Sequence, residues 1–154
     1  MRKSAIVVMV VALVGAALVT SIAVATPGSG AVGTTLARGV ATEKVKTRGN
    51  QPYDVVAQEI VIAPGGHTGW HTHPGQAVAI VKSGTLTIYD GDDPSCAPRT
   101  YSAGETYIDP GYGHVHIGRN EGTVQLEILV TYVDVAAGGG PVRIDAADPG
   151  NCSF

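Results

Sequence analysis

The feature that most constrains this chain is a period-two alternation of apolar and polar residues, in short runs cut by glycine and proline. In an extended strand, successive side chains point to opposite faces. Val124, Leu126, Ile128, Val130 and Tyr132 therefore share one face, and Gln125, Glu127, Leu129 and Thr131 share the other. Tyr53 to Ala63 is a second run, rich in Val and Ile and stopped by Pro64-Gly65-Gly66. Ala77 to Lys82 and Thr85 to Tyr89 flank Ser83-Gly84, which reads as a tight hairpin. Shorter strands are expected over Thr106 to Asp109, His114 to Gly118 and Val142 to Ile144. Asp90-Gly91-Asp92-Asp93-Pro94 is a loop by its turn chemistry. No helical stripe of useful length interrupts this pattern. Many short strands with regular turn signals predict an all-β domain, either a sandwich or a barrel.

The N-terminus stands apart from that pattern. Arg2 and Lys3 precede an almost wholly apolar run from Ala5 to Val19, and Ala23-Val24-Ala25 is a small-x-small cleavage signal. Residues 1–25 read as a secretory signal peptide cut after Ala25. The alternative is an uncleaved N-terminal membrane anchor, since a span takes about 20 apolar residues. Residues 26–34 read as a Gly/Ser/Pro/Ala linker, and 35–154 as one domain. Removing Arg2 and Lys3 takes the formal charge from −3 to −5. No basic block remains, so nucleic acid is not an expected partner. A membrane is a partner only if the N-terminal segment is uncleaved.

Cys96 and Cys152 are the two cysteines, each following an Asp-Pro turn. Export permits a disulfide, and the pair is expected to tie the C-terminal tail to a surface loop.

All five histidines lie in two short segments. His71 and His73 are two apart, so on a strand they project together; His114 and His116 repeat the spacing. Two antiparallel strands can bring such pairs to one centre. Imidazole suits first-row divalent metals.

The glycines around these histidines carry a resemblance. Gly65, five residues, His71, Thr72, His73 and a closing Gly84 resemble the first motif of the cupin superfamily, Gly-x5-His-x-His-x3,4-Glu-x6-Gly. Gly104, five residues, Pro110 and later His116-x3-Asn120 resemble the second, Gly-x5-Pro-x-Gly-x2-His-x3-Asn. The chain is similar to a small, single-domain, exported cupin of the conserved-barrel type. The resemblance implies the double-stranded β-helix, or jelly-roll, barrel over residues 35–154. It also implies that His71, His73 and His116 take the positions of three metal ligands.

Two departures from the motifs matter. The glutamate ligand is missing, and its position falls on Ala77. Gln76 is the adjacent candidate, although alternation aims it away from the face of residue 77. The segment from Pro110 to His116 is one residue longer than the pattern. Gly111 and Gly113 are expected to absorb it as a bulge, which leaves open whether His114 or His116 is the third ligand; the spacing to Asn120 favours His116.

His67 reads either as a loop residue or as part of the cavity mouth. Tyr107, Tyr112 and Glu105 flank the second motif as pocket candidates, and Trp70 reads as packing on the opposite face from the ligands.

The resemblance implies one divalent ion (manganese, iron, zinc, copper or nickel), and ligand type does not separate these. It points to a metal-dependent dioxygenase, isomerase or lyase acting on a small oxygen-rich metabolite. The alternatives are a non-catalytic module that binds a small molecule or a metal, and a structural barrel with a vestigial site. Whether the chain is an enzyme, and by which catalytic residues, stays open at this level. A homodimer through an outer sheet is expected from the resemblance alone.

Overall fold

A computed structural model describes residues 24–43, 48 and 52–154. The expected signal peptide lies mostly outside these residues. Among the described residues there are ten strands and no helix, and so no helix long and apolar enough to cross a membrane. The strands are β1 (Ser29–Ala41), β2 (Tyr53–His67), β3 (His71–Thr72), β4 (Ala77–Ser83), β5 (Thr85–Asp90), β6 (Arg99–Ser102), β7 (Thr106–Asp109), β8 (His116–Arg119), β9 (Leu126–Ala136) and β10 (Ile144–Asp145).

All pairings between them are antiparallel. One layer runs β1-β2-β9-β4-β7 and the other β10-β3-β8-β5-β6; they join where His67 of β2 meets Arg119 of β8. The result is an all-β jelly-roll barrel. Alternation builds its interior. On β9, Leu126, Ile128, Val130 and Tyr132 are buried, while Leu129 and Thr131 face out. On β4, Ala77, Ala79 and Val81 are buried between exposed Ile80 and Lys82. With Val56, Ile62, Leu86 and Ile88 these residues form one core. Each large side chain so buried stabilises the barrel by about 1.5–3 kcal/mol.

A second, smaller cluster sits on the outside of the β8 layer, where Trp70 packs with Tyr89 and Ile117. Phe154 closes it, with its ring 6.3 Å from Trp70 and 4.9 Å from Tyr89, and the Arg119 guanidinium lies 3.9 Å over that ring. Trp70 is thus packing, as its parity implied. The Cys96–Cys152 disulfide holds the same tail in place.

Four local expectations differ from the structure. Ser83-Gly84 does not close a hairpin. β4 pairs with β7 and β9, whereas β5 pairs with β6 and β8. Gly84, at φ +79°, turns the chain from one layer into the other, so its glycine is required by the corner. The expected strand over His114 to Gly118 begins only at His116. Gly111, Tyr112 and Gly113 all have positive φ and make a turn, not a bulge, and a Cβ at Gly111 would collide with the Gly75 carbonyl. Of the run Val142 to Ile144, only Ile144 is in a strand.

Residues 26–34, read as a linker, are joined to the barrel. Ala25 bridges Ala147, the Thr26 N–H donates to Ala146 O at 3.0 Å, and β1 pairs along β2 from Ser29 onward. The reason is backbone pairing: β2 would otherwise expose a long row of unpaired amides and carbonyls, which small side chains can cover as well as large ones.

Candidate metal centre

β3 lies against β8 with His71 directly opposite His116. Opposed residues of an antiparallel pair send their side chains to the same face. His73, two positions beyond His71, keeps that parity. All three side chains are buried inside the barrel. Their ring centroids are 4.8 Å (His71–His73), 4.4 Å (His71–His116) and 5.3 Å (His73–His116) apart. One nitrogen from each lies within 4.8 Å of the others.

The ring orientations are set by neighbours. His71 Nδ1 donates to the Gly69 carbonyl at 2.9 Å, and His73 Nδ1 to the Val142 carbonyl at 2.7 Å. A carbonyl only accepts, so the proton sits on Nδ1 and the lone pair on Nε2 is left free. His116 Nδ1 is buried without a hydrogen-bond partner, 3.5 Å from Asp109 Oδ1.

Burial, with His73 and Arg143 nearby, pushes His71 down to about 3. Burial lowers His73 as well, against the opposing Val142 carbonyl and Asp109. His116 is driven well below the ordinary histidine value by burial and by His71. Three buried, neutral imidazoles result, the protonation state a metal requires.

An inner pocket of about 40 Å³ is bounded by these histidines, Tyr107, Asp109 and Tyr132. This space is large enough for an ion and small beside the roughly 300–1,000 Å³ of an organic-ligand pocket. His71, His73 and Tyr132 also line a wider mouth of about 390 Å³, where Thr68, Arg143 and Asp145 stand. The three-imidazole donor set fits a divalent cation, and much of the rest of the inner pocket is walled by apolar side chains such as Leu86, Ile88 and Val130.

Other sequence candidates fall elsewhere. Gln76 is exposed and lies outside the lining of both cavities, so the strand parity holds and no distorted turn brings its amide inward. His114 leaves the strand and bonds Asp109 Oδ1 through Nδ1 at 2.7 Å, with Nε2 3.3 Å from Asp90. His67 ends β2 and accepts from the Gly69 amide, outside the cluster. Tyr107 lines the inner pocket and donates to Asp109, whereas Tyr112 bonds Asp134 on another side of the turn. Glu105 accepts from the Ser102 amide and stays exposed.

Asp109, Tyr132 and Arg143 line these cavities without having been singled out from the sequence. Parity put Tyr132 on the buried face of its strand. Only the pairing of β4 with β7 places Asp109.

A family model described as a cupin domain matches residues 58–132, the span that carries all three histidines. No curated protein matches the chain. Among solved structures, the chain is similar to the cupin domain of an XRE-family transcriptional regulator from Enterobacter cloacae, at 16% identity and a TM-score of 0.50, over 68% of this chain and 96% of that one. A double-stranded β-helix protein from Klebsiella pneumoniae matches at 24% identity and a TM-score of 0.49, over 71% and 83% of the two chains. Oxalate oxidase in complex with the substrate analogue glycolate matches at 26% identity and a TM-score of 0.45, over 52% and 41%. The Enterobacter cloacae match supports the fold, and the oxalate oxidase overlap is too slight to carry an argument about chemistry. Taken with the motif residues and the jelly-roll topology, the family match identifies residues 58–132 as a cupin domain.

Proposed function

We propose that this cupin binds one divalent metal ion through His71, His73 and His116 and presents it to a small oxygen-rich anion entering by the mouth. The observation that carries this reading is the set of three buried imidazoles whose nitrogens converge within 4.8 Å. When bound, the ion supplies a Lewis acid that polarises a ligand oxygen. The chain's own residues do the rest. The carbonyls of Gly69 and Val142 hold two rings in register, and Tyr132 walls both cavities. Arg143 lines the mouth paired through Nε with Asp145, and its remaining guanidinium N–H groups can donate to a ligand oxygen.

Turnover by dioxygenation, isomerisation or lyase chemistry is the first form of this proposal. Capture without turnover is the second, and the mouth favours it. Its one carboxylate among the described lining residues, Asp145, is paired with Arg143 Nε at 2.6 Å and is not a free base.

The first experiment is metal analysis of the protein purified without a chelating tag, beside His71→Ala/His116→Ala. One equivalent in the native protein and none in the variant supports the centre. No uptake of manganese, iron, zinc, copper or nickel by the native protein overturns it. A loaded protein that converts a screened oxyanion is an enzyme; one that is only stabilised by it, through mass action, is a binding module.

Export belongs to the same proposal, and the Cys96–Cys152 disulfide supports it. A mature protein beginning at Thr26 is expected; one beginning at Met1 overturns cleavage. Self-association through the outer face of β4, β7 and β9, where Ile80, Ile108 and Leu129 are exposed, completes the proposal. Sedimentation as a monomer overturns it.

A further inference from the structure

The cupin motif places its glutamate at residue 77, where this chain has alanine. Three neutral imidazoles would leave the charge of a buried dication without an anionic partner, and an unpaired buried charge is costly. The register of the barrel supplies one. The residue directly opposite Ala77 is Asp109, on the neighbouring strand β7. Opposed residues share a face, with Cβ atoms about 4.5–5.5 Å apart. Ala77 and Asp109 both point inward, at 3% and 1% exposure, and both line the inner pocket.

We propose that Asp109 takes the place of the missing glutamate as the anionic partner of the metal centre, acting through His116. This rests on the metal-binding reading above.

Two observations carry it. The first is that Asp109 is a fully buried carboxylate held in place from several sides. The Gly111 amide donates to Oδ2 at 3.0 Å, while Oδ1 accepts from Tyr107 Oη at 3.3 Å and His114 Nδ1 at 2.7 Å. The second is that His116 Nδ1, the buried ring nitrogen with no hydrogen-bond partner, faces this carboxylate at 3.5 Å. The same relation, a metal-bound imidazole whose other nitrogen meets a carboxylate, orients the ring and raises its basicity in metal proteins generally. His71 and His73 use backbone carbonyls for this purpose, so Asp109 is the one charged group among the three ring partners. Asp109 is therefore a positioning and charge-compensating residue. The carboxylate has moved one strand sideways and stays on the same wall of the pocket.

The test measures zinc affinity by chelator competition on the full chain, with thermal melts of the metal-free proteins as the check on folding. Asp109→Asn keeps the size and an acceptor oxygen but removes the charge. It is expected to weaken zinc about 10–100-fold, the usual cost of losing such a partner. Ala77→Glu/Asp109→Asn returns a carboxylate to the motif position and is expected to recover most of that loss. A purely structural role for Asp109 would not be rescued from residue 77. Ala77→Glu alone needs no change at Asp109, so it tests the proposal even where Asp109→Asn fails to fold. It is expected to add less than about threefold, because coupled sites that fill one role do not add. Native affinity in Asp109→Asn overturns the proposal. So does an unrescued double variant that melts normally, or a tenfold gain from Ala77→Glu alone. A native protein that takes up no ion overturns the metal-binding reading and this inference together. A native protein that binds while Asp109→Asn binds equally overturns only the inference.

Discussion

His114 and His116 are two residues apart and their rings stack at 5.6 Å, yet the fold gives them opposite characters. His116 sits on β8, buried beside two other imidazoles and driven far toward the neutral form. His114 sits in the preceding turn, where its bond to Asp109 raises it above the ordinary histidine value. One aspartate serves both, and its own carboxyl is held below the usual range. Burial alone would raise it, but His114, His116 and His73 outweigh that effect. Side-chain chemistry alone thus says little about which histidine binds metal. What matters is whether the backbone delivers the ring to a dry interior beside two other imidazoles, or to a half-exposed edge between two carboxylates.

The contrast breaks most visibly if the interior set is removed. His71→Ala/His116→Ala is expected to abolish stoichiometric metal uptake, while His114→Ala retains one equivalent by metal analysis. Loss of the ion in both would make the turn part of the centre, and loss in His114→Ala alone would show that the turn, and not β3 with β8, builds it.

Acid is the next largest effect, and its sign differs between the two classes. His71 has a folded value near 3, below the ordinary 6.5 of an unfolded chain. Its contribution to stability is complete above pH 6.5 and is lost as pH falls toward 3, because the unfolded state takes up the proton first. Each pH unit in that window costs about 1.4 kcal/mol per such histidine. His114 works the other way, since its raised value stabilises the fold below pH 6.5 and that help fades as pH rises through the folded value. Melts of the metal-free protein between pH 7 and pH 4 are expected to show a net loss, because four lowered histidines oppose one raised. A saturating ion should raise the whole curve without flattening it, since ligated rings stay unprotonated in the folded state while the unfolded chain still takes up protons. A melting temperature that rises on acidification would mean that the three rings are solvated and charged.

Much of this was legible before any coordinates. Alternation gave the shared face of Leu126, Ile128, Val130 and Tyr132 on β9, and the motif spacing gave His71, His73 and His116, because both depend on local periodicity. What escaped depends on which strands become neighbours. Ser83-Gly84 looks like a hairpin locally, and only the partners of β4 and β5 show it to be a corner between layers. Asp109 looks like an ordinary residue before a proline, and only its register with Ala77 gives it a place in the site. The segment 26–34 has few apolar side chains, and its attachment is made largely by backbone groups, which no composition reports.

A smaller effect separates His114 from a ligand. His114→Ala removes a hydrogen bond to a buried carboxylate, a loss of about 1.5–3 kcal/mol for such charge-assisted bonds. Zinc affinity should fall less than in Asp109→Asn, because the carboxylate itself remains. Denaturant titration and chelator competition on one preparation read both quantities. An affinity loss exceeding that of Asp109→Asn would make His114 the residue that acts, with Asp109 as its anchor.

The smallest expected effect belongs to Gln76. Its carbonyl accepts from the Val133 amide at 3.0 Å, a backbone contact that survives substitution, and its side chain is exposed. Gln76→Ala should leave zinc affinity within about twofold and stability within about 0.5 kcal/mol, the range of an ordinary surface change. The comparison is sharp because Gln76 and Ala77 are sequence neighbours at the start of β4, one exposed and the other buried. If the wall of the barrel is as rigid as its pairing implies, the amide stays outside and the anionic partner comes from across the sheet. A tenfold loss in Gln76→Ala would instead mean that the chain after Pro74-Gly75 turns inward around the ion, and that the first motif completes its own donor set.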